Sequence, residues 1–203
     1  DAPWGQDILK SGRTIGIGSY GRYDEQNDYV ETFKTVKSTT ARVVNGKELS
    51  YADISYKGWK TWGDAIDLDS RLTIFNRDRF VKVDLHLSHS ISGLCTGIVA
   101  FKNIPAKQAI SKNKKWAYLA TYGKQTETKK DDRLGMAVFY PLDSFNQYVP
   151  TKSTHAIVFK KTKKVSYYFL AAWSAEPDGL ATEEAFYRDL DQKLETLDNS
   201  NTL

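Results

Sequence analysis

Three titratable side chains, Lys82, Asp84 and His86, alternate with apolar residues in the stretch 79–88. Because successive side chains of a β-strand point to opposite faces of the sheet, we expect these three groups to share one face. Histidine changes its charge near neutral pH and often transfers protons in enzymes. The pattern makes His86 a candidate catalytic residue if this face lines a cleft, and a solvated surface residue if it does not.

A second group combines aromatic and basic residues in the stretch 56–64, where Trp59 and Trp62 flank Lys60. An indole ring can stack on the apolar face of a pyranose, and a lysine can pair with a carboxylate or sulfate. These residues therefore predict binding of an acidic sugar. The alternative is a hairpin tip with one tryptophan folded into the core.

Two further places carry groups suited to acid–base chemistry. Tyr122 precedes Lys124 at the end of a predicted strand, and a tyrosine whose pKa is lowered by neighbouring cations can transfer protons in eliminations on uronates. Asp7 and Lys10 lie in a glycine-rich opening segment and place an acid and a base near a substrate. A surface ion pair explains Asp7 and Lys10 equally well.

Several classes of site are excluded or disfavoured. The sequence contains neither the Gly-x-Ser-x-Gly motif of serine hydrolases nor the His-Glu-x-x-His motif of zinc proteases. His86 and His89 are three residues apart and should point to opposite faces of a strand, which disfavours a metal site. The net charge of +4 favours a polyanionic partner, but no basic run with interleaved aromatics points to nucleic acid. An acidic polysaccharide or oligosaccharide is the expected partner.

Period-two alternation dominates the 203 residues and predicts many short antiparallel strands. Asn45-Gly46 predicts a two-residue hairpin turn. Only the C-terminus has helical periodicity, beginning after the capping residue Thr182. Cys95 is expected to be buried, and no apolar run is long enough to span a membrane. We expect one all-β domain over 1–203, an antiparallel sandwich with one C-terminal helix; a closed barrel is the alternative.

The order of several segments resembles a domain-of-unknown-function family encoded in bacterial polysaccharide-utilisation loci for pectin, ulvan and related uronic-acid glycans. The segments are the opening 4–18 with its glycines, the strand 66–69, the stretch 92–99 and the aromatic stretch 167–174. The resemblance implies a supersandwich of the galactose-mutarotase type, a secreted or periplasmic location, and dehydration of oligosaccharides released by polysaccharide lyases. It also implies that the chain is the C-terminal part of a longer protein, with a missing N-terminal half or a second chain.

The function expected first is a carbon–oxygen lyase that eliminates water or a glycosyl group from a uronic-acid oligosaccharide. Such chemistry needs a cation beside the substrate carboxylate, a base for the C5 proton and an acid for the leaving oxygen. Lys60 or Arg71 is the expected cation, and His86 or Tyr122 the expected proton-transfer group. Asp7 and Lys10 would help to bind the substrate, and no organic cofactor is needed.

Two other functions stay open. A non-catalytic carbohydrate-binding module would use Trp59 and Trp62 as a stacking platform. A structural half of a two-chain assembly would expose apolar strand edges. A structural calcium ion is a further expectation, because Asp64, Asp67 and Asp69 lie close together in the sequence.

Overall fold

The computed structural model describes residues 7–12, 14–128, 131–177 and 179–203 as thirteen β-strands followed by one α-helix. Trp4, Gly5 and Gln6 of the opening segment lie outside the described residues. The elements are β1 (Ile17–Asp24), β2 (Tyr29–Glu31), β3 (Ser38–Val44), β4 (Leu49–Thr61), β5 (Asp64–Phe75), β6 (Phe80–Ile91), β7 (Leu94–Val99), β8 (Lys107–Ile110), β9 (Trp116–Gly123), β10 (Leu134–Pro141), β11 (Phe145–Pro150), β12 (Thr154–Phe159), β13 (Thr162–Trp173) and α1 (Glu183–Ser200).

The strands form two sheets in which every recorded pairing is antiparallel. One sheet has five strands in the order β11-β12-β7-β1-β2, and the other has eight in the order β3-β4-β5-β6-β13-β10-β9-β8. The prediction of an antiparallel sandwich with a C-terminal helix is confirmed. Among the residues described, no helix is both long and apolar enough to cross a membrane.

The main core lies between the two sheets and follows from the period-two alternation. In β6, Val83, Leu85 and Leu87 point inward and are almost completely buried, while the residues between them point outward. Ile98 of β7 and Ile157 of β12 meet them from the five-stranded sheet. Burial of these alternate side chains fixes which face of each strand is left for other uses.

The helix α1 covers half of the outer face of the eight-stranded sheet. Its apolar residues pack on β9, β10 and β13, where small residues let the helix approach closely. A methyl group added at Gly135 would lie 2.5 Å from the Phe186 ring, so the glycine makes room for that ring. The buried apolar residues of the helix are Phe186, Leu190, Leu194 and Leu197, as the helical spacing predicts.

Polar contacts hold both ends of α1. Thr182 caps the start, because its hydroxyl oxygen accepts a hydrogen bond from the Ala185 N–H. Near the other end the buried Asp198 carboxylate accepts hydrogen bonds from the Ser111 hydroxyl at 2.5 Å and the Asn113 N–H at 2.7 Å. These contacts attach the end of the helix to the β8–β9 hairpin and fix how far it reaches across the sheet.

The structure also corrects local expectations. The strands β8 and β11 were not predicted, because β8 is an exposed edge strand without alternation and the pairing of β11 is irregular between Phe145 and Gln147. The β3–β4 hairpin is confirmed, but four residues (45–48) connect its strands, and neither Asn45 nor Gly46 has a positive φ. Cys95 is fully buried, as predicted, and this burial raises the pKa of its thiol to about 12.

We predict that Phe186→Ala lowers the free energy of unfolding by about 3–5 kcal/mol, because it empties a fully buried site between α1 and the sheet. Urea unfolding measures the change. Ile110→Ala removes an exposed apolar side chain of β8 and should change stability by less than about 0.5 kcal/mol. Similar losses for both variants would contradict the packing described for α1.

Candidate functional site

The half of the outer face that α1 leaves uncovered forms the floor of an open cleft. The cleft has a volume of about 1170 Å³ and lies over β3, β4, β5, β6 and the start of β13. Strand β3 bounds it on one side. The β10–β11 connection and the residues that follow α1 bound it on the other. Its floor is polar because the alternate, apolar residues of the same strands are used in the core.

The strand register arranges the floor in rows that run across five strands. The central row joins residues that are direct cross-strand partners, namely Arg42, Asp53, Arg71, Asp84 and Ser166. The neighbouring row, called here the histidine row, joins Thr40, Ser55, Asp69, His86 and Lys164. Side chains directly opposite each other in such rows have Cβ atoms about 4.5–5.5 Å apart.

A bidentate ion pair occupies the middle of the central row. Arg71 Nε and Nη2 donate to the two Asp53 carboxylate oxygens at 2.6 and 2.9 Å. The hydrogen bonds from Arg71 lower the pKa of Asp53, and Asp53 raises the pKa of Arg71. The guanidinium also lies 4.2 Å from the centre of the Tyr51 ring. Arg71 is therefore held in one orientation, with much of its charge already compensated.

The second carboxylate of the central row is also held in place. Asp84 Oδ1 accepts a hydrogen bond from the Ser166 hydroxyl at 2.5 Å, and Lys82 Nζ lies 3.1 Å from the same oxygen. Positive and negative groups thus alternate across the floor, which offers a ligand donors and acceptors in turn.

His86 is the exposed titratable group at the centre of the cleft floor. Its cross-strand neighbours are Asp69 on β5 and Lys164 on β13. Asp69 accepts a hydrogen bond from the Ser55 hydroxyl at 2.5 Å. Within the described part of the chain, the His86 ring makes no hydrogen bond, so both ring nitrogens are open to a ligand.

The charges lining the cleft balance. Four cationic side chains face four carboxylates, namely Arg42, Arg71, Lys82 and Lys164 against Asp53, Asp69, Asp84 and Asp143. Two of the cations, Arg42 and Lys164, are exposed and form no ion pair with any residue that the structure describes. They lie on the first and last of five adjacent strands, four strand spacings or roughly 19 Å apart.

The chain end after α1 builds one wall of the cleft. Trp116 Nε1 donates a hydrogen bond to Asn201 Oδ1 at 2.7 Å, and the Tyr168 hydroxyl lies 3.2 Å from Thr202 Oγ1. Both aromatic rings are buried under this wall. They support the site rather than offer a flat stacking surface to a ligand.

Of the predicted catalytic residues, the structure brings His86 and Arg71 together in this cleft. Lys60 is exposed near the tip of the β4–β5 hairpin and does not line the cleft. Asp7 and Lys10 are exposed in the opening segment, where the Ile8 carbonyl accepts a hydrogen bond from the Glu127 N–H. They lie outside the cleft lining as well.

The expected acid–base role of Tyr122 is contradicted by its surroundings. Its ring packs on Phe186 at 5.4 Å between centroids, and its hydroxyl donates to the Leu180 carbonyl at 3.3 Å. Burial raises the pKa of Tyr122, and although Arg133 acts in the opposite direction, its effect is smaller. Tyr122 therefore belongs to the contact between the sheet and α1.

The expected stacking role of Trp59 is wrong, because its side chain is completely buried in the core, with the ring centroid 4.4 Å from that of Phe33. A β-bulge between Tyr56 and Trp59 shifts the alternation of β4 and turns Trp59 inward. Trp62 lies at the hairpin turn and is exposed. The two tryptophans thus do not form a common platform.

The expected calcium site finds no support in the geometry. Asp64 pairs with Arg22 at 2.9 Å, and Asp67 accepts a hydrogen bond from the Gly58 N–H at 2.9 Å. Among the residues described, no cluster of three or more His, Cys, Asp or Glu side chains could hold a metal ion.

Arg42, Asp53 and Lys164 complete the site and were missed by the sequence reasoning. Arg42 and Asp53 each lie in a predicted strand, but the pattern does not reveal which residues face each other across strands. Lys164 could have been predicted from the alternation in β13, since Lys164 and Ser166 flank the buried Val165. That spacing places Lys164 and Ser166 on the face that also carries His86.

We predict that Arg71→Gln raises the pKa of Asp53, because it removes the hydrogen bonds that favour the charged carboxylate. Carboxyl-carbon NMR titration measures this pKa directly. Asp67 is the internal control: its pKa is lowered mainly by the Gly58 N–H and also by Lys57, so it should not move. An unchanged Asp53 titration in the variant would contradict the described pair.

Comparison with known proteins identifies a family. The family described as a domain of unknown function (DUF4861) matches residues 1–201. No curated protein and no solved structure gave a significant match. Because the family match covers nearly the whole of the 203 residues, the chain belongs to the DUF4861 family.

Proposed function

We propose that the cleft on the outer face of the eight-stranded sheet binds an acidic oligosaccharide and eliminates water or a glycosyl group from one of its uronic acid residues. The observation that carries the proposal is the position of His86, exposed on the cleft floor next to Lys164, which forms no ion pair with any residue that the structure describes. A base beside a cation is the pair of groups that this elimination requires.

The reaction itself needs few groups. A uronate carboxylate makes the C5 proton acidic once a cation compensates its charge. The base removes that proton, the electron pair of the C–H bond becomes the C4–C5 double bond, and the C4–O bond breaks. The leaving oxygen takes up a proton and departs as water or as the hydroxyl of a shorter glycan. The products balance without any oxidant or reductant.

In this proposal the catalytic roles differ from those expected from the sequence. Lys164 is the cross-strand neighbour of His86 and the better group for the substrate carboxylate. Arg71 is already paired with Asp53, and its role in the proposal is to hold the Asp53 carboxylate in position. His86 acts as the base and, once protonated, as the acid for a leaving group on the same face of the sugar, since Tyr122 is not in the cleft.

The charge distribution favours a sugar acid over a densely charged polyanion. Equal numbers of lining cations and carboxylates produce no strong positive field. Alternating donors and acceptors instead suit the hydroxyl groups of a glycan, with Lys164 or Arg42 available for single carboxylates. An acidic oligosaccharide therefore fits this cleft better than a nucleic acid does.

A non-catalytic carbohydrate-binding module is the second candidate, and the exposed ring of Trp62 is the observation in its favour. This candidate is weakened by the burial of Trp59, which was expected to form the stacking platform together with Trp62. A secreted or periplasmic location is part of the proposal and is supported only by the resemblance.

A missing N-terminal half or a second chain also stays a proposal. Val43 and Ile74, with 66% and 53% of their surfaces exposed, lie on β3 and β5 and point to the same face of the eight-stranded sheet. An apolar surface of this kind supports an additional chain segment or subunit there.

We predict that His86→Gln lowers turnover of a lyase-generated oligosaccharide by about 10²–10⁴-fold without abolishing binding. Ulvan, pectin and alginate oligosaccharides are incubated with the protein, and the products are identified by mass spectrometry as the substrate minus one water or as a cleaved pair. Lys164→Gln should mainly raise KM. Lys163→Gln is the matched control, because Lys163 is exposed on the same strand but does not line the cleft.

Three results would count against the proposal. If turnover survives His86→Gln, the histidine does not take part in the reaction. If Lys163→Gln and Lys164→Gln have equal effects, the cleft is not where the substrate binds. Glycan binding by the wild type without any product would favour the binding-module candidate.

A further inference from the structure

Trp62 has an unusual place in the chain. Thr61 and Asp64 are direct partners at the ends of β4 and β5, so Trp62 and Gly63 form a two-residue hairpin turn. Both have positive φ, 49° for Trp62 and 81° for Gly63, as a type I′ turn requires. Asparagine, aspartate or glycine normally occupies the first position. A bulky residue there is strained, and strain of this kind is concentrated at functional sites.

A buried arginine fixes the orientation of the Trp62 ring. Only 5% of Arg22 is exposed, and its guanidinium lies 4.1 Å from the ring centroid. The guanidinium is itself held by the Ser92 carbonyl at 2.9 Å, the Thr61 carbonyl at 3.1 Å and Asp64 Oδ2 at 2.9 Å. One face of the indole therefore rests on a rigid cation.

The opposite face of the ring is open. Trp62 is 46% exposed, although Arg22 covers one of its faces. The ring edge lies over the β6–β7 turn, where a methyl group added at Gly93 would be 2.9 Å from Trp62 Cη2. Of the tryptophans that the structure describes, Trp62 is the exposed one. The result is a flat, preoriented aromatic surface.

The groups beside this surface are acidic or neutral. Asp64 Oδ1 has no hydrogen-bond partner among the residues described, and the Asp64 side chain is partly exposed. Glu31 accepts a hydrogen bond from the Thr61 hydroxyl on the same end of the sandwich. A pyranose ring has an apolar face for the indole and hydroxyl groups that can donate to Asp64. A phosphate or sulfate would be repelled by the two carboxylates.

We propose that Trp62, with Asp64 at its side, is a second glycan-binding site that takes a neutral pyranose residue. It lies outside the cleft, since neither residue lines it. Asp64 is five residue steps along β5 from Asp69 of the cleft floor, or roughly 17 Å at ~3.3 Å per step. The site does not depend on the elimination chemistry proposed for His86. It would hold a neutral part of a polysaccharide whose acidic part enters the cleft.

The test uses the intact chain and three neutral probes: cellohexaose, xylohexaose and a galactan-derived hexaose. Acrylamide quenching of tryptophan fluorescence reports the exposed indole. At least one probe should protect the wild-type protein from quenching, and this protection should be absent in Trp62→Phe. In affinity gels containing the matching polysaccharide, Trp62→Ala should bind about tenfold more weakly, whereas Trp62→Tyr should retain most of the binding.

Two control variants separate this site from the rest of the protein. Ile110→Ala truncates an exposed apolar residue on β8 and should leave the retardation of the protein in the affinity gel unchanged. His86→Gln alters the cleft and should also leave it unchanged, so failure of the cleft chemistry and failure of this site are distinguishable. Because Trp62 covers Arg22, thermal unfolding of each variant is recorded, and Trp62→Tyr keeps an aromatic ring there if Trp62→Ala is unstable.

Two outcomes would overturn the proposal. In the first, no neutral probe protects the wild-type tryptophan fluorescence. In the second, folded Trp62→Ala binds the polysaccharide as well as the wild type does, which would leave Trp62 only the structural role of covering Arg22.

Discussion

Alternate side chains of a β-strand face opposite sides of its sheet, so each strand of the eight-stranded sheet has an outer face that must be covered or solvated. The helix α1 covers the outer face of β9, β10 and part of β13, and Gly135 with its neighbouring alanines provides the space for Phe186. Asp198 limits the reach of the helix by tying it to the β8–β9 hairpin. The remaining outer face stays open and polar, and this division of one sheet face produces the cleft.

The chemistry of the cleft follows from the register of its strands. Antiparallel pairing places Arg71 between Asp53 and Asp84, and His86 between Asp69 and Lys164. The paired charges hold each other in fixed positions, while His86, Lys164 and Arg42 keep groups available for a ligand. Catalysis by such a surface would depend on positioning by the rigid sheet rather than on a deep, dry pocket.

Alternation was the part of the structure that the sequence predicted well. It assigned Lys82, Asp84 and His86 to one face, and the helical spacing after Thr182 was equally reliable. Register was not predictable, because it depends on turn geometry. A two-residue turn at Asn45-Gly46 would pair Arg42 with Leu49. In the structure the first cross-strand pair is Val44 with Tyr51, so residues 45–50 lie between the paired residues and Arg42 pairs with Asp53. The bulge before Trp59 reversed the expected side of that ring in the same way.

The proposed function requires ligands to bind to the uncovered outer face of the eight-stranded sheet. This binding can be mapped by NMR chemical shifts of the isotopically labelled protein with an unsaturated uronate oligosaccharide. We expect the largest shift changes on the cleft floor, at His86, Lys164 and Arg42, and little change on the outer face of the five-stranded sheet. Changes centred on the five-stranded sheet, or on the contact between α1 and β9, would rule out the cleft as the binding site.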